Sequence, residues 1–442
     1  MKNKKLYYML LCTVMIFVIL TGCAGSSVTD QTDAGSKVNS PNTSENAEPV
    51  TINYYGFVDD KGMESKFITA FEEQNPGIKV RLVELPDASD DKLKTINTVL
   101  QAGDSSIDVF VADVAWAPVF AGAKWVLPWD ELVSREQLKD YMPGGLDAFT
   151  YKGVTYGLPF YVDGGVLFYR SDLLDKYNKR VPTTWEDLIV TSKEIMDAEK
   201  DPALRGFGSI WKQFEGLTCS ALEIIWANGG DIVNENSEPD IKTAEIESSL
   251  QMMYDMIYTD KIACEGITTF GNTELRNEMF SGNVIFTRDW SSAYSQYNDP
   301  EKSKVAGKVE LAALPAGTSG SSASALGGWG AMISAYSKNV DAAVKFAMFR
   351  ASSEVQKDVI MNFKLNNPSY IPLYDDPECL TKYPVIKDLK AAMYATKPRP
   401  RTPYYAELSA ILQLEIHSVL SDVKTPAEAA ANIKTKIEQL LK

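Results

Sequence analysis

The chain contains 442 residues, with 59 acidic against 44 basic side chains and a formal net charge of −15 at pH 7. This acidic balance argues against nucleic acid as a partner and against general adhesion to anionic lipid. The single histidine, His417, lies in a run with helical periodicity, and the sequence has no GxSxG, CxxC or HExxH motif. We therefore expect no histidine-rich metal site, no Ser-His or Cys-His catalytic pair and no cofactor.

The N-terminal residues have the layout of a secretory signal. Three lysines among the first five residues precede an uncharged, mostly apolar run from Leu6 to Leu20, which is shorter than the roughly 20 residues that span a bilayer. The sequence LTGC at positions 20–23 resembles the lipobox of bacterial lipoproteins, in which the cysteine is acylated, for example with palmitate. We expect a signal peptide at 1–22 and a lipid on Cys23 that holds the protein at the extracytoplasmic face of the cell membrane; an uncleaved anchor is the alternative.

The segment after the cysteine is polar. Residues 24–49 contain no aromatic side chain, and Val28 and Val38 are their only large apolar residues. Such a composition buries too little apolar surface to offset the entropy of ordering. We expect residues 23–49 to form a lipidated, flexible tether.

The folded part begins with an alternating pattern of strands and helices. Strand patterns at 51–55, 78–83 and 107–112 are separated by helical patterns at 63–71 and 91–101. This βαβαβ order predicts a mostly parallel sheet flanked by helices. Because ligands bind beyond the carboxyl ends of such strands, the aspartates that follow the strands are candidate site residues.

The same kind of pattern continues to the C-terminus. Thr184, Asn339 and Thr425 are placed to cap helices, and Thr425 is followed by Pro426 and by Glu428 in a capping-box arrangement. No linker after Pro49 divides the chain, so we predict two α/β lobes with several chain crossings. Further strands are expected at 166–169, 207–211, 284–286 and 332–334.

Aromatic residues stand beside charged groups or bare backbone in several places. An aromatic face covers the apolar face of a sugar ring, while carboxylates and guanidinium groups hold neighbouring hydroxyls. The pattern therefore predicts a carbohydrate site, although any one of these aromatic residues is also common in a core. The short stretches concerned are Asp113 with Trp116, Tyr161 with Asp163, Asp289 with Trp290, Gly327-Gly328-Trp329, and Arg399 to Tyr405.

From about Thr51 to Lys442 the chain resembles the extracellular solute-binding proteins of bacterial and archaeal ABC sugar importers, in particular those of the trehalose/maltose-binding type. The stretches that carry the resemblance are DVFVADVAWAPVFAGAKWVLP (108–128), YGLPFYVDGGVLFYRSDLLDKYN (156–178), WKQFEGLTCSALEIIWANGG (211–230), SGNVIFTRDW (281–290), LGGWGAMISAYSKN (326–339) and RPRTPYY (399–405).

This resemblance implies a type II clamp in which two lobes, joined by three crossover segments, close on a di- or short oligosaccharide. The implied N-terminal lobe comprises 50–158 and about 315–368, and the C-terminal lobe about 159–314 and 369–442. The protein would be a non-catalytic monomer that delivers its ligand to two permease subunits served by a cytoplasmic ATPase.

The resemblance also implies roles for individual residues. Asp113, Asp163 and Arg399 would bind sugar hydroxyls. Asp60 would have the same role, although the loop that carries it aligns poorly with the family. Trp290 and Trp329 would stack on sugar rings, and Tyr161 with the Gly328 backbone would complete the wall. Glu215 either faces the cleft or positions the helix that follows it.

Two departures from the family pattern bear on the ligand. Ser291 and Ser292 follow Trp290 where related chains carry a further aromatic residue, and Arg401 stands where they are usually uncharged. Because Arg399 and Arg401 are cationic, an anionic sugar is one alternative ligand. A non-sugar ligand, such as a polyamine or an organic acid, is another. A secreted glycosidase is the alternative of another class.

Three cysteines follow the tether, namely Cys219, Cys264 and Cys379. They are widely spaced and match no disulfide framework or metal motif. We expect small buried core residues, with a Cys219–Cys264 bond as an open alternative.

Overall fold

The computed structural model describes residues 48–234, 236–363 and 367–442. The predicted signal peptide at 1–22, the acylated Cys23 and residues 23–47 of the predicted tether lie outside the described residues and stay predictions. Within the described ranges, no helix combines the length and the apolar character that a membrane crossing requires.

Eleven strands are present in the described part of the chain. They are β1 Val50–Gly56, β2 Ile78–Glu84, β3 Val109–Asp113, β4 Thr150–Tyr151, β5 Val154–Thr155, β6 Leu158–Arg170, β7 Arg205–Gly208, β8 Val284–Trp290, β9 Val309–Ala312, β10 Ser324–Ile333 and β11 Thr396–Lys397.

The helices of the same ranges lie between and after these strands. They are α1 Met63–Gln74, α2 Ser89–Gln101, α3 Ala117–Gly122, α4 Arg135–Leu138, α5 Pro143–Ala148, α6 Ser171–Lys176, α7 Trp185–Glu199, α8 Glu215–Ala227, α9 Thr243–Tyr258, α10 Asn272–Ser281, α11 Tyr294–Tyr297, α12 Val340–Arg350, α13 Ser353–Phe363, α14 Pro377–Lys382, α15 Ile386–Tyr394, α16 Tyr405–Leu420 and α17 Pro426–Leu440.

The predicted βαβαβ unit is confirmed as β1-α1-β2-α2-β3. Strand β1 pairs in parallel with both β2 and β3, and all five residues of β3 are buried, as expected for a strand covered on both faces. Helix α1 buries Phe67 and Phe71 on the predicted face.

Two of the three predicted helix caps are confirmed, whereas Asn339 precedes α12 without a capping hydrogen bond from its side chain. The Thr184 hydroxyl accepts the Asp187 amide at 3.1 Å at the start of α7. At the start of α17 the Thr425 hydroxyl accepts the Glu428 amide at 3.2 Å, and the Glu428 carboxylate accepts the Thr425 amide at 2.9 Å. Both arrangements satisfy amides that the first helical turn leaves unpaired.

Nine of the eleven strands form one mixed sheet whose main path is β2-β1-β3-β10-β6-β8-β7, and β4 pairs with β5 in a separate two-stranded sheet. Parallel pairs lie toward its two ends, whereas β10 runs antiparallel to both β3 and β6, and β6 runs antiparallel to β8. The long strand β6 therefore connects the two halves of the sheet.

Two strand predictions need correction. The predicted strand at 166–169 is only the second half of β6, because Pro159 and the Gly164-Gly165 pair hide its first half from a strand pattern. The predicted strand at 207–211 ends at Gly208 as β7. The apolar residues Ile210 and Trp211 beyond it are buried core residues, so their hydrophobicity reflects packing and not strand pairing.

Buried apolar side chains fall into two clusters. The first cluster includes Ile52, Phe110 and Phe346, and the second includes Phe168, Trp211 and Leu412. The predicted lobe boundaries stay a prediction, but buried residues from Leu373 to Met393 pack in the first cluster although that prediction assigned 369–442 to the C-terminal lobe.

The three described cysteines confirm the expectation of buried core residues. Cys219, Cys264 and Cys379 are all buried and all carry free thiols. The Cys219–Cys264 bond, left open by the sequence, is therefore not formed in this structure.

Candidate functional site

A cleft of about 720 Å³ opens at the junction of the two core clusters. Phe57 and the start of α2 line one side, and the start of α8, α10 and Trp290 line the other. The floor is the central sheet where β3, β10 and β6 lie side by side. The cleft is lined by all but one of the residues predicted to bind ligand, namely Asp113, Tyr161, Asp163, Trp290, Gly328, Trp329 and Arg399.

Strand register brings these residues together. Trp329 on β10 is opposite Asp113 on β3 and also opposite Tyr161 on β6. Asp163 is opposite Gly327, and Trp290 at the end of β8 is opposite Gly165. Residues more than 200 positions apart in sequence thus form one surface because four strands pair in this order.

A local irregularity in β10 and β6 shapes the floor. The register shifts between Trp329 and Gly330, and Gly328 has φ of 128°. A Cβ atom at Gly328 would approach the Tyr161 carbonyl oxygen to 2.5 Å. The position therefore requires glycine both for its backbone angle and for the close approach of β6.

Asp163 is buried and held by donors from three parts of the chain. Its Oδ1 atom accepts hydrogen bonds from the Ser291 hydroxyl at 2.6 Å, the Asn367 amide nitrogen at 2.8 Å and the Gly164 backbone at 2.9 Å. Burial raises the pKa of the Asp163 carboxyl, and the hydrogen bonds oppose that shift. These bonds all end on Oδ1 and fix the orientation of the carboxylate at the cleft.

Arg399 joins two carboxylates in the lining of the cleft. Its Nη2 donates to Oδ1 of Asp113, and its Nη1 donates to Oε1 of Glu215 at 2.6 Å. Ser409 and Tyr405 also donate to Glu215, the former at 2.6 Å. Burial raises the pKa of Asp113 and is opposed by Arg399. Arg399 is therefore neutralised by protein carboxylates.

Trp329 belongs to an aromatic wall. Its ring meets Phe57 edge to face at 5.4 Å between centroids and meets Trp116 in the same manner at 5.2 Å. The Lys92 ammonium lies 5.4 Å from the Trp329 ring centroid and donates to the Asp87 carbonyl at 2.5 Å. Burial lowers the pKa of Lys92. The wall thus combines an aromatic surface with a hydrogen-bond donor.

Trp290 forms the second aromatic surface. Its ring lies against the Gly327 backbone, where an added Cβ would be 2.6 Å from it. The backbone amide of Trp290 donates to Asp289 at 2.7 Å, and Asp289 also pairs with Arg276 at 2.9 Å. Arg276 lines the cleft, but its charge is compensated by Asp289.

Asp60 is the predicted residue that the structure leaves outside this group. It is exposed and does not line the cleft. The neighbouring Asp59 instead caps α1, because its carboxylate accepts the amides of Glu64 at 2.8 Å and Ser65 at 3.0 Å. The loop after the first strand thus carries an aspartate that caps α1.

The two departures from the family pattern have clear structural outcomes. Ser291 donates to Asp163, and Ser292 lines the cleft where an aromatic ring was expected. Arg401 turns to Asp147, to which it donates at 2.7 Å, and does not line the cleft. His417 bonds to the Thr268 carbonyl at 3.1 Å, also outside the cleft lining.

Sequence reasoning missed several residues that complete the site. Asn367 holds Asp163, Lys92 contacts Trp329, and Arg276 lines the cleft beside Asp289. No motif marks Asn367 or Lys92, since each reaches the site only through tertiary packing. Two roles were open for Glu215, and its position fits both: it lines the cleft, and it is the first residue of α8.

The chain is similar to known proteins over most of its length. Residues 57–357 match the family model described as bacterial extracellular solute-binding protein. A probable ABC transporter-binding protein of Deinococcus radiodurans is 32% identical over 82% of this chain and 87% of its own. A mannitol-binding protein of Pseudomonas aeruginosa is 26% identical over 65% of each chain.

Among solved structures, maltose-bound T. maritima MalE3 aligns with a TM-score of 0.82 and 32% identity, covering 89% of this chain and 100% of that protein. The expected type II clamp fold is confirmed by this alignment. The family match and the relative at 32% identity extend over most of the chain. The protein therefore belongs to the bacterial extracellular solute-binding protein family, whose members work outside the cytoplasm with ABC transporters.

Proposed function

We propose that this protein is the non-catalytic receptor of an ABC importer and that its cleft binds an uncharged di- or short oligosaccharide. The observation that carries the proposal is that two carboxylates, each oriented by protein hydrogen-bond donors, lie beside two aromatic surfaces. Asp113 and Asp163 each have one oxygen held by protein donors, beside Trp329 and Trp290. Carboxylate acceptors and apolar ring faces are the two features that a sugar uses.

The charges of the cleft favour a neutral sugar over an anionic one. Arg399 is paired with Asp113 and Glu215, and Arg276 is paired with Asp289. Among the described lining residues, carboxylates outnumber cationic groups. An anionic ligand would therefore meet repulsion without an unpaired arginine to compensate it.

The relatives support the same ligand class. The Pseudomonas aeruginosa relative is named for mannitol, and the T. maritima structure holds maltose. Both ligands are uncharged and rich in hydroxyl groups. The cleft volume of about 720 Å³ also lies within the range of about 300–1,000 Å³ that is usual for small-molecule sites.

Isothermal titration calorimetry with a ligand panel tests the proposal. The panel contains trehalose, maltose, sucrose, cellobiose, xylobiose and longer oligomers, together with a glucuronate-containing disaccharide and spermidine. We expect saturable binding of at least one neutral sugar and no binding of either charged probe. Binding of a charged probe alone, or hydrolysis of a bound sugar during the titration, would contradict the proposal.

We further propose that the protein is anchored by a lipid on Cys23 and acts as a monomer that docks on permease subunits. Cys23 follows a signal-like segment, and a tethered receptor stays near its transporter while it remains free to rotate. Cys23→Ala should release the protein from the membrane fraction into the medium or periplasm. An unchanged membrane fraction for the Cys23→Ala variant would favour an uncleaved anchor.

The two lobes are proposed to close on the sugar about the crossover segments. In support, Arg399 pairs with Asp113 on β3 and with Glu215 on α8, and these elements contribute to different core clusters. Hinge closure on ligand is the usual motion of such clamps. Small-angle scattering should show a smaller radius of gyration when the sugar is bound.

A further inference from the structure

A buried ion pair lies directly behind Trp290. Arg288 on β8 donates from Nε and Nη2 to the two carboxylate oxygens of Glu223 on α8, each at 2.5 Å. Both residues are 1% exposed. The Arg288 guanidinium carbon lies 4.4 Å from the centroid of the Trp290 ring. One face of the Trp290 surface is therefore backed by a fixed planar cation.

The absence of a side chain at Gly165 leaves the space that this ion pair occupies. Gly165 on β6 is opposite Trp290 in the sheet, and a Cβ atom there would lie 2.0 Å from Glu223 Oε1 and 2.6 Å from Arg288 Nη2. Glu223 Oε1 is further fixed by the Ala325 amide at 3.0 Å. Strands β6, β8 and β10 thus all contribute to holding the guanidinium in one place.

Stability alone is a poor explanation for this arrangement. Replacing a buried ion pair by well-packed apolar residues of similar volume is often neutral or even stabilising. Arg288 also keeps one nitrogen, Nη1, that is buried without a hydrogen-bond partner among the described residues. Hydrogen bonding among the described residues leaves part of the guanidinium unused, and the guanidinium carbon also contacts the Trp290 ring.

The position of Trp290 relates its contact with Arg288 to the cleft. The Arg288 guanidinium lies over the ring, and the Gly327 backbone approaches its Cε3, Cζ3 and Cη2 atoms. The ring is only half-buried and lines the cleft. An aromatic side chain restrained in this way presents a surface to a ligand with little loss of rotational freedom on binding. The guanidinium adds a cation–π attraction that keeps the ring in place.

We infer that Arg288, fixed by Glu223, is a positioning residue that holds the Trp290 indole as the ligand-stacking surface of the cleft. The inference rests on the proposed function, since it assumes that Trp290 contacts the sugar. It requires a planar group at position 288. Lysine keeps the charge but lacks the fork that binds both Glu223 oxygens and stacks on a ring.

A thermodynamic cycle between the ion pair and Trp290 tests this inference. The paired variant Glu223→Gln/Arg288→Met removes both charges, so no unpaired charge is left buried. It is made with Trp290 present and in a Trp290→Leu background, and sugar binding is measured by titration calorimetry with the tightest neutral sugar of the panel. We expect the paired change to raise Kd at least fivefold with Trp290 present and less than twofold with Trp290→Leu.

Near-ultraviolet circular dichroism gives a readout that needs no ligand. The difference between the wild-type and Trp290→Leu spectra isolates the signal of the ordered Trp290 ring. We expect Glu223→Gln/Arg288→Met to lose most of that signal, and Arg288→Lys to lose it as well. Retention of the full signal in both variants would overturn the inference.

The outcomes separate the inference from the proposed function. If the wild-type protein binds no sugar of the panel, the proposed function fails and the inference fails with it. If the wild-type protein binds and the paired change alters Kd equally in both Trp290 backgrounds, or alters neither, only the inference is overturned. A lower melting temperature without a Trp290-dependent change in Kd would show a merely structural ion pair.

Discussion

At the residue scale, Asp163 and Asp60 form a matched pair of aspartates that differ in placement. Asp163 is 5% exposed and lines the cleft, whereas Asp60 is exposed outside it. Asp163→Asn keeps the shape but replaces a charged acceptor, and hydrogen bonds to charged groups contribute about 1.5–3 kcal/mol. We expect a rise in Kd of about 10- to 100-fold, measured by titration calorimetry.

Asp60→Asn serves as the control for this measurement and should leave Kd unchanged. Both variants should show wild-type far-ultraviolet circular dichroism. An equal loss of affinity in the two variants would mean that the cleft does not hold the ligand through Asp163.

Arg399 and Arg401 provide a second matched pair, two positions apart in one loop. Arg399 is buried between Asp113 and Glu215, so Arg399→Gln leaves two carboxylates without their cation. Removing one partner of a buried ion pair destabilises a protein by about 3–5 kcal/mol. We expect a loss of this size in the free energy of unfolding, measured by urea denaturation.

Arg401→Gln removes a partly exposed pair with Asp147. Such surface pairs contribute about 0–1 kcal/mol, so this variant should unfold close to the wild-type urea concentration. Similar losses in both variants would contradict the assignment of Arg399 as the buried charge of the site.

At the element scale, helix ends were predictable because their signals are local. The Thr425 capping box and the Thr184 cap each involve residues within three positions of each other. Strand pairing was less predictable. The first half of β6 carries Tyr161 and Asp163 but contains a proline and two glycines, and its strand conformation depends on hydrogen bonds to β10.

The cap of α17 allows a quantitative check at this scale. Thr425→Ala removes the hydroxyl that accepts the Glu428 amide, and loss of such a cap lowers stability by about 0.5–2 kcal/mol. We expect a decrease of this size in the unfolding free energy in urea. Thr435→Ala, at an exposed position of the same helix, is the control and should have little effect.

At the scale of the whole molecule, the buried carboxylates link ligand binding to pH. Burial raises the folded-state pKa of Asp113 and Asp163 from the ordinary aspartate value. For an acid with a raised folded pKa, protonation favours the native state. These two groups therefore add stability to the unliganded protein as pH falls through the raised pKa, and they lose that contribution as pH rises through it.

Ligand binding should have the opposite pH dependence, because a sugar hydroxyl donates to an ionised carboxylate. We expect the rise in melting temperature caused by the bound sugar to shrink between about pH 7 and about pH 4.5, above and near the ordinary aspartate range. Thermal denaturation with and without sugar at each pH measures this difference. A ligand-induced shift that stays constant over this range would exclude Asp113 and Asp163 as titrating ligand contacts.

The sequence by itself determined the elements whose signals are local and the family to which the chain belongs. The βαβαβ unit follows from apolar periodicity, the caps of α7 and α17 follow from short spacings, and the ordered motifs indicated the clamp fold. It also selected Asp113, Tyr161, Asp163, Trp290, Gly328, Trp329 and Arg399, all of which line one cleft.

Only the tertiary structure decided how the charges of that cleft are used. The neutralisation of Arg399, the turning of Arg401 to Asp147 and the exposure of Asp60 depend on partners distant in sequence. The same is true of Arg288 behind Trp290, since its partner Glu223 lies on another element. Charge pairing and stacking act through space over a few ångströms, so they are decided by which elements pack together and not by spacing along the chain.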